Sequence, residues 1–172
     1  PVIQAASHRA LVRGTTLEDV FQASVAIRRS SEIPLIAFTY LNPILRFGVE
    51  KFAKRAAEAG IDGVLITDLP PESADEIRGT MGQRGLAMIF LATPTTSERR
   101  LRMIDRASDG FVYYVSTTGV TGSRVDLADG LLERLQSVRA ILRHPLAVGF
   151  GISRHEHYEQ LRFLVIARQP WT

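Results

Sequence analysis

The residues best suited to chemistry stand in short clusters, each following an apolar run. Gly149-Phe150-Gly151-Ile152-Ser153 sets two glycines around one residue and ends on a hydroxyl able to cap a helix. Small residues let an anion approach the backbone, and the free N–H groups of a helix start carry partial positive charge, so the segment could hold a phosphate. It could equally be a tight turn between a strand and a helix. Gly119-Val120-Thr121-Gly122 lies in a longer connection, which suits a lid that excludes water or a merely flexible loop. Asp68, ahead of Leu69-Pro70-Pro71, could face a ligand or cap the turn into the next helix.

Other chemistries lack their residues. There is no cysteine, so disulfides, thiolate zinc sites and a cysteine nucleophile are excluded. His155 and His157 flank Glu156, but residues i and i+2 of a helix do not face one another, and no metal is expected. No Gly-x-Ser-x-Gly elbow, Gly-x-Gly-x-x-Gly turn or P-loop lysine occurs, which argues against a hydrolase triad and against nucleotide cofactors.

The elements that must position these clusters recur regularly. Thr16 with Asp19 reads as a helix start, and Leu17, Val20, Phe21, Ser24, Val25 and Ile27 give an apolar stripe to about Ser30. A strand follows at Ile33 to Phe38, and Thr39-Tyr40-Leu41-Asn42-Pro43 reads as the connection after it. The pattern then predicts helix Val49 to Ala59, strand Gly63 to Thr67, helix Glu72 to Arg84 and strand Leu86 to Leu91. Gly60 and Gly85 stand where left-handed helix caps belong. Helix Ser97 to Ala107, strand Phe111 to Val115, helix Leu127 to Leu142, strand Leu146 to Phe150 and a helix after Ser153 complete it, with a weak further strand at Phe163 to Ala167. Near-continuous apolar strands alternating with amphipathic helices imply a parallel sheet covered by helices. A βα period of about 25 to 35 residues fits a (β/α)8 barrel or a doubly wound sheet. A barrel usually takes about 250 residues, so 172 would make an incomplete one.

The totals bound the rest. Hydrophobic residues make up 45% of the chain and no linker divides it, which reads as one soluble domain over residues 1–172. Net charge is +3, but the arginines are dispersed singly or in pairs on helix faces, so no nucleic acid partner is expected. No apolar stretch reaches the roughly 18 residues that span a bilayer, and no secretion signal opens the sequence, so the expectation is a cytoplasmic protein without membrane contact.

Four clusters together resemble the tryptophan synthase alpha subunit family: Tyr40-Leu41-Asn42-Pro43, Ala59-Gly60-Ile61-Asp62-Gly63 leading to Asp68-Leu69-Pro70, Gly119-Val120-Thr121-Gly122, and Gly149-Phe150-Gly151-Ile152-Ser153. They occur in family order and spacing from Pro1 to about Ser153. The resemblance implies a (β/α)8 barrel with these strands as the family's third to seventh. It further implies a lyase of tryptophan biosynthesis that splits indole-3-glycerol phosphate into indole and glyceraldehyde 3-phosphate with no cofactor and no metal.

By the same resemblance, Phe38, Tyr40, Leu65, Asp68, Leu91, Tyr113, Thr121 and Phe150 would meet the substrate, and Gly122, Gly151 and Ser153 its phosphate. Asn42 and Pro43 would touch a beta subunit in an alpha2-beta2 assembly. The family's catalytic Glu and loop Asp match nothing here and would lie upstream of Pro1, so turnover by this chain is not expected. Residues 154–172 depart from the family, and its later Gly-Ser phosphate contact is missing. Two alternatives stand beside this reading: a non-catalytic fragment or beta-subunit interaction module, and another phosphate-binding barrel enzyme of the same pathway.

Overall fold

A computed structural model of the chain describes residues 2–115, 130–149 and His155. Five strands, β1 (Ile36–Thr39), β2 (Gly63–Ile66), β3 (Ala87–Ala92), β4 (Val112–Val115) and β5 (Leu146–Gly149), pair in parallel and in chain order. The helices are α1 (Val2–Val12), α2 (Leu17–Arg28), α3 (Leu41–Phe47), α4 (Val49–Glu58), α5 (Asp75–Gly82), α6 (Glu98–Ala107) and α7 (Leu131–Ile141), with a 3-10 turn at Pro71–Ser73. An unreversed strand order is what a (β/α)8 barrel requires, whereas a doubly wound sheet reverses at its switch point. The parallel α/β expectation therefore resolves toward the barrel. Among the described residues, no helix is long and apolar enough to cross a membrane.

Local chemistry sets the boundaries. At the start of α2 the Thr16 hydroxyl accepts from the Asp19 N–H at 3.4 Å, while the Asp19 carboxylate accepts from the Thr16 N–H at 2.7 Å. The Thr16 backbone N–H, and then its hydroxyl, hold the Asp19 carboxyl below its ordinary value. Gly60 and Gly85 end their helices as expected, with φ of 76° and 74°. In each case the glycine N–H reaches back three residues and the next N–H five: Ile61 to the Ala56 carbonyl at 3.0 Å, Leu86 to that of Met81 at 3.1 Å.

Three expectations need correction. The strand predicted from Ile33 begins at Ile36, because the preceding backbone bonds elsewhere: the Ile33 carbonyl accepts from Arg28 and the Leu35 N–H donates to Asp62 at 2.6 Å. Leu41 to Pro43, read as connection, open helix α3; Pro43 stands in the first turn, where a missing N–H breaks no helical bond. The helix predicted over Glu72 to Arg84 divides into the 3-10 turn and α5.

Alternation along the strands gives the sheet two faces. Val64, Ile66, Met88, Phe90, Val112, Tyr114 and Leu146 join Phe21, Phe52, Ala56, Met81, Leu101, Ile104, Leu135 and Val138 of the helices in one buried cluster. Burial of each large apolar side chain contributes about 1.5–3 kcal/mol. The Phe21 ring meets Phe47 at 5.7 Å and Phe52 at 5.6 Å, which locks α2 to α3 and α4. Leu65 and Ile89 are equally buried yet belong to the opposite, inner face.

The rim where strands begin is knitted by charged side chains. Arg28, at the end of α2, donates to the carbonyls of Gly60 (2.8 Å), Ser31 (3.3 Å) and Ile33 and pairs with Asp62. Asp109 accepts from the Met88 N–H at 3.2 Å and from Arg78 at 3.4 Å. Buried Asp105 accepts from the backbone N–H groups of Arg143 and His144, each at 3.0 Å, and lies 3.2 Å from the His144 ring.

Candidate functional site

The inner face rises toward the strand ends in two rows. Register places Phe38 beside Leu65 and Leu65 beside Ile89, and Leu91 beside Tyr113. The last β1–β2 pair, Thr39 and Ile66, is closed by the Thr67 N–H, which donates to the Thr39 carbonyl at 3.0 Å, so Thr67 opens the turn after β2 with its N–H directed toward β1. Two-residue alternation then sets Thr67 on the same face as Leu65 and opposite Tyr40. Tyr40, Thr67, Leu91 and Tyr113 thus form the upper row.

The sheet curves enough for these rows to enclose something. Strands β1 and β4 are three spacings apart, about 14 Å in a flat sheet. Yet the Phe38 and Tyr113 rings meet edge to face, with centroids 5.7 Å apart at 74°. That contact crosses the concave side. Tyr113 also lies over Gly149 of the next strand: a Cβ there would come within 1.7 Å of the tyrosine oxygen. Burial raises the Tyr113 hydroxyl above its ordinary value, so it stays protonated and neutral through physiological pH.

The expected site residues divide by environment. Phe38 and Tyr40 stand 53% and 62% exposed, Tyr113 is half-buried, and Leu65 lies beneath them. Phe38 lies on β1 and Tyr40 directly follows it; β1 is the edge strand of the described sheet, which leaves that side of the inner face uncovered. Asp68 is exposed, and its Oδ1 accepts from the Leu41 N–H at 2.7 Å, so it caps α3 across the neighbouring connection. Asn42 is exposed and Pro43 half-buried in the first turn of α3. Thr121, Gly122, Phe150, Gly151 and Ser153 lie outside the described residues. The strand ends that lead toward them, Val115 and Gly149, are register partners.

Two inner-face residues escaped the sequence reading, Thr67 and Ile89. Counting two residues on from Leu65 and two back from Leu91 would have found both.

The arrangement can bind a flat apolar ring. Aromatic edges and aliphatic side chains supply contact area, and the tyrosine and threonine hydroxyls supply polar atoms at the mouth. Among the described residues, Asp68 is the one carboxylate within two residues of a strand's last residue, and its capping bond commits one oxygen.

A family model described as tryptophan synthase alpha chain matches residues 1–167. The tryptophan synthase alpha chain of Solibacter usitatus is 50% identical over 161 residues, covering 94% of this chain and 60% of that protein. That of Thermosynechococcus vestitus is 48% identical over 162 residues, covering 94% and 61%. The chain thus spans about 60% of the length of the curated relatives it matches. In the tryptophan synthase a2b2 complex of Pyrococcus furiosus a chain superposes with a TM-score of 0.88 at 39% identity, covering 95% of this chain and 66% of that one. An E74A alpha subunit from the same organism gives 0.86 at 37%, covering 95% and 65%.

Proposed function

We propose a function from one premise: the chain belongs to the tryptophan synthase alpha chain family. On our reading it supplies the binding surface of a lyase that splits indole-3-glycerol phosphate into indole and glyceraldehyde 3-phosphate. The observation that carries this is the concave inner face, where Phe38 meets Tyr113 over Leu65 and Leu91 and leaves aromatic surface open at the strand ends.

The reaction breaks the bond between the indole ring carbon and the side chain. A proton must arrive at that ring carbon while the adjacent side-chain hydroxyl loses its own and becomes the aldehyde. Positioning comes first. We assign contact with the indole and glycerol portions to Phe38, Tyr40, Leu65, Leu91, Tyr113 and Phe150, further substrate contact to Asp68 and Thr121, and the phosphate to Gly122, Gly151 and Ser153, on the family resemblance. Proton transfer needs a carboxyl group able to give and take the proton, with a second carboxylate on the indole N–H. No residue of this sequence matches the family's pair, and we assign those roles to groups outside residues 1–172. A purified 172-residue chain should bind indole-3-glycerol phosphate in a calorimetric titration and release no indole from it. Steady indole release would overturn the assignment of proton transfer, and absence of binding would overturn the binding surface.

The second reading is a partner surface for a tryptophan synthase beta subunit. It is favoured by α3, which sets exposed Asn42 and half-buried Pro43 beside Leu45, 54% exposed, at the same rim as the mouth. Co-purification with a beta subunit, lost on N42A and L45A substitution, is the expected result; retention in the double variant would exclude this surface. Cytoplasmic location belongs to the same proposal.

A further inference from the structure

We infer that Thr67 is a specificity-determining residue of this mouth, presenting a hydrogen-bond acceptor to a donor group of the ligand. The inference rests on the proposed binding surface and adds to it a residue that no other part of the reading uses. Three observations converge on it. Thr67 opens the turn after β2 with its N–H still directed toward β1, through the bond to the Thr39 carbonyl at 3.0 Å that closes the Thr39–Ile66 pair, so its side chain leaves the backbone on the side of Gly63 and Leu65. It completes the row of Tyr40, Leu91 and Tyr113, in which Leu91 is apolar and the Tyr113 ring rests on Phe38. It is half-buried, and its hydroxyl is already directed: Oγ1 donates to the same Thr39 carbonyl at 3.4 Å.

The direction of that proton decides the chemistry. A hydroxyl has one donor and two acceptor sites. With the proton turned to Thr39, what remains for a ligand is lone pairs, which select an N–H or O–H and not an anion. An indolyl glycerol phosphate offers both, at its ring nitrogen and at its side-chain hydroxyls. β-branching stiffens the side chain, so the acceptor is held in place before binding.

The test compares Thr67→Val, which keeps the shape and removes the hydroxyl, with Thr67→Ser, which keeps the hydroxyl. Each is titrated with indole-3-glycerol phosphate and with indole-3-propyl phosphate, which retains the ring N–H and lacks the hydroxyls. Removing one neutral hydrogen bond is expected to weaken T67V binding about five- to tenfold, with T67S close to the original chain. A penalty that vanishes on the propyl compound is the expected result and assigns the donor to a side-chain hydroxyl, since the proposed reaction gives the ring N–H to a carboxylate; one that persists there overturns that assignment of the ring N–H. Equal affinity of T67V and the original chain for both compounds overturns the inference while leaving the binding surface intact. Failure of the original chain to bind either compound overturns both. A matching urea midpoint for T67V and T67S ties any difference to the hydroxyl and not to folding.

Discussion

At the ends where strands begin, Arg28, Asp62, Asp105 and Asp109 each bond to backbone of a neighbouring connection. At the ends where strands finish, Phe38 and Tyr40 stand more than half exposed, and the side-chain bonds across connections include Asp68 on Leu41, Thr67 on Thr39, Arg100 on Glu72 and Arg134 on the carbonyls of Pro94 and Thr96. The first rim turns charged side chains onto the protein's own backbone; the second leaves aromatic surface exposed. In a barrel this is the division between a stabilising face and a working face. Substitutions can therefore be sorted by rim, and each sorting can fail.

The largest effect should come from the stabilising rim. Asp105→Ala strips a buried carboxylate from two backbone N–H groups and the His144 ring. Leaving those donors unsatisfied should cost about 3 kcal/mol. Urea unfolding should show a lower midpoint at unchanged slope, while the surviving folded chain still binds indole-3-glycerol phosphate with its original affinity. A loss of affinity without a loss of stability would break the division between the rims.

Gly149→Ala tests the working rim. The added methyl would overlap the Tyr113 ring, its Cβ lying 1.7 Å from the hydroxyl oxygen and 2.1 Å from Cζ. The ring must move off Phe38, and overpacking of this kind costs about 2 kcal/mol. Here affinity should fall together with stability, because the displaced ring is itself the binding surface. Tyr113→Ala in the same chain removes the clash, so the double variant should be more stable than the sum of the two single losses implies. Strict additivity would mean that the contact is not what glycine protects.

Much of this was legible beforehand, for physical reasons that differ by feature. The helix caps at Gly60 and Gly85 and the box at Thr16 are local, so sequence spacing specifies them completely. Inner-face residues such as Phe38, Leu65, Leu91 and Tyr113 lie outside the four family-like clusters and were named only as positions implied by the resemblance; the ladder register sets them on one face. What escaped reading depends on contacts distant in sequence. Helix α3 looks like a connection because Tyr40 offers no side-chain cap and Pro43 follows closely; its cap arrives from Asp68, 27 residues on. The late start of β1 likewise reflects Arg28 and Asp62 competing for the backbone of residues 33–35.

Asp68 is the residue on which the comparison is finest, since it stands on the working rim and makes a bond typical of the other one. Its Oδ1 takes one of the N–H groups that the start of α3 leaves unbonded. If that bond is its whole contribution, Asp68→Ala should destabilise the chain by about 1 kcal/mol, the usual cost of a lost cap. Asp68→Asn, which keeps an acceptor oxygen and removes the charge, should then restore both stability and affinity for indole-3-glycerol phosphate. A ligand-facing carboxylate behaves differently: the Asn variant would recover the urea midpoint and leave the affinity reduced. Two titrations and two unfolding curves separate the outcomes, because the cap requires only a lone pair whereas a charged contact to the substrate requires the carboxylate itself.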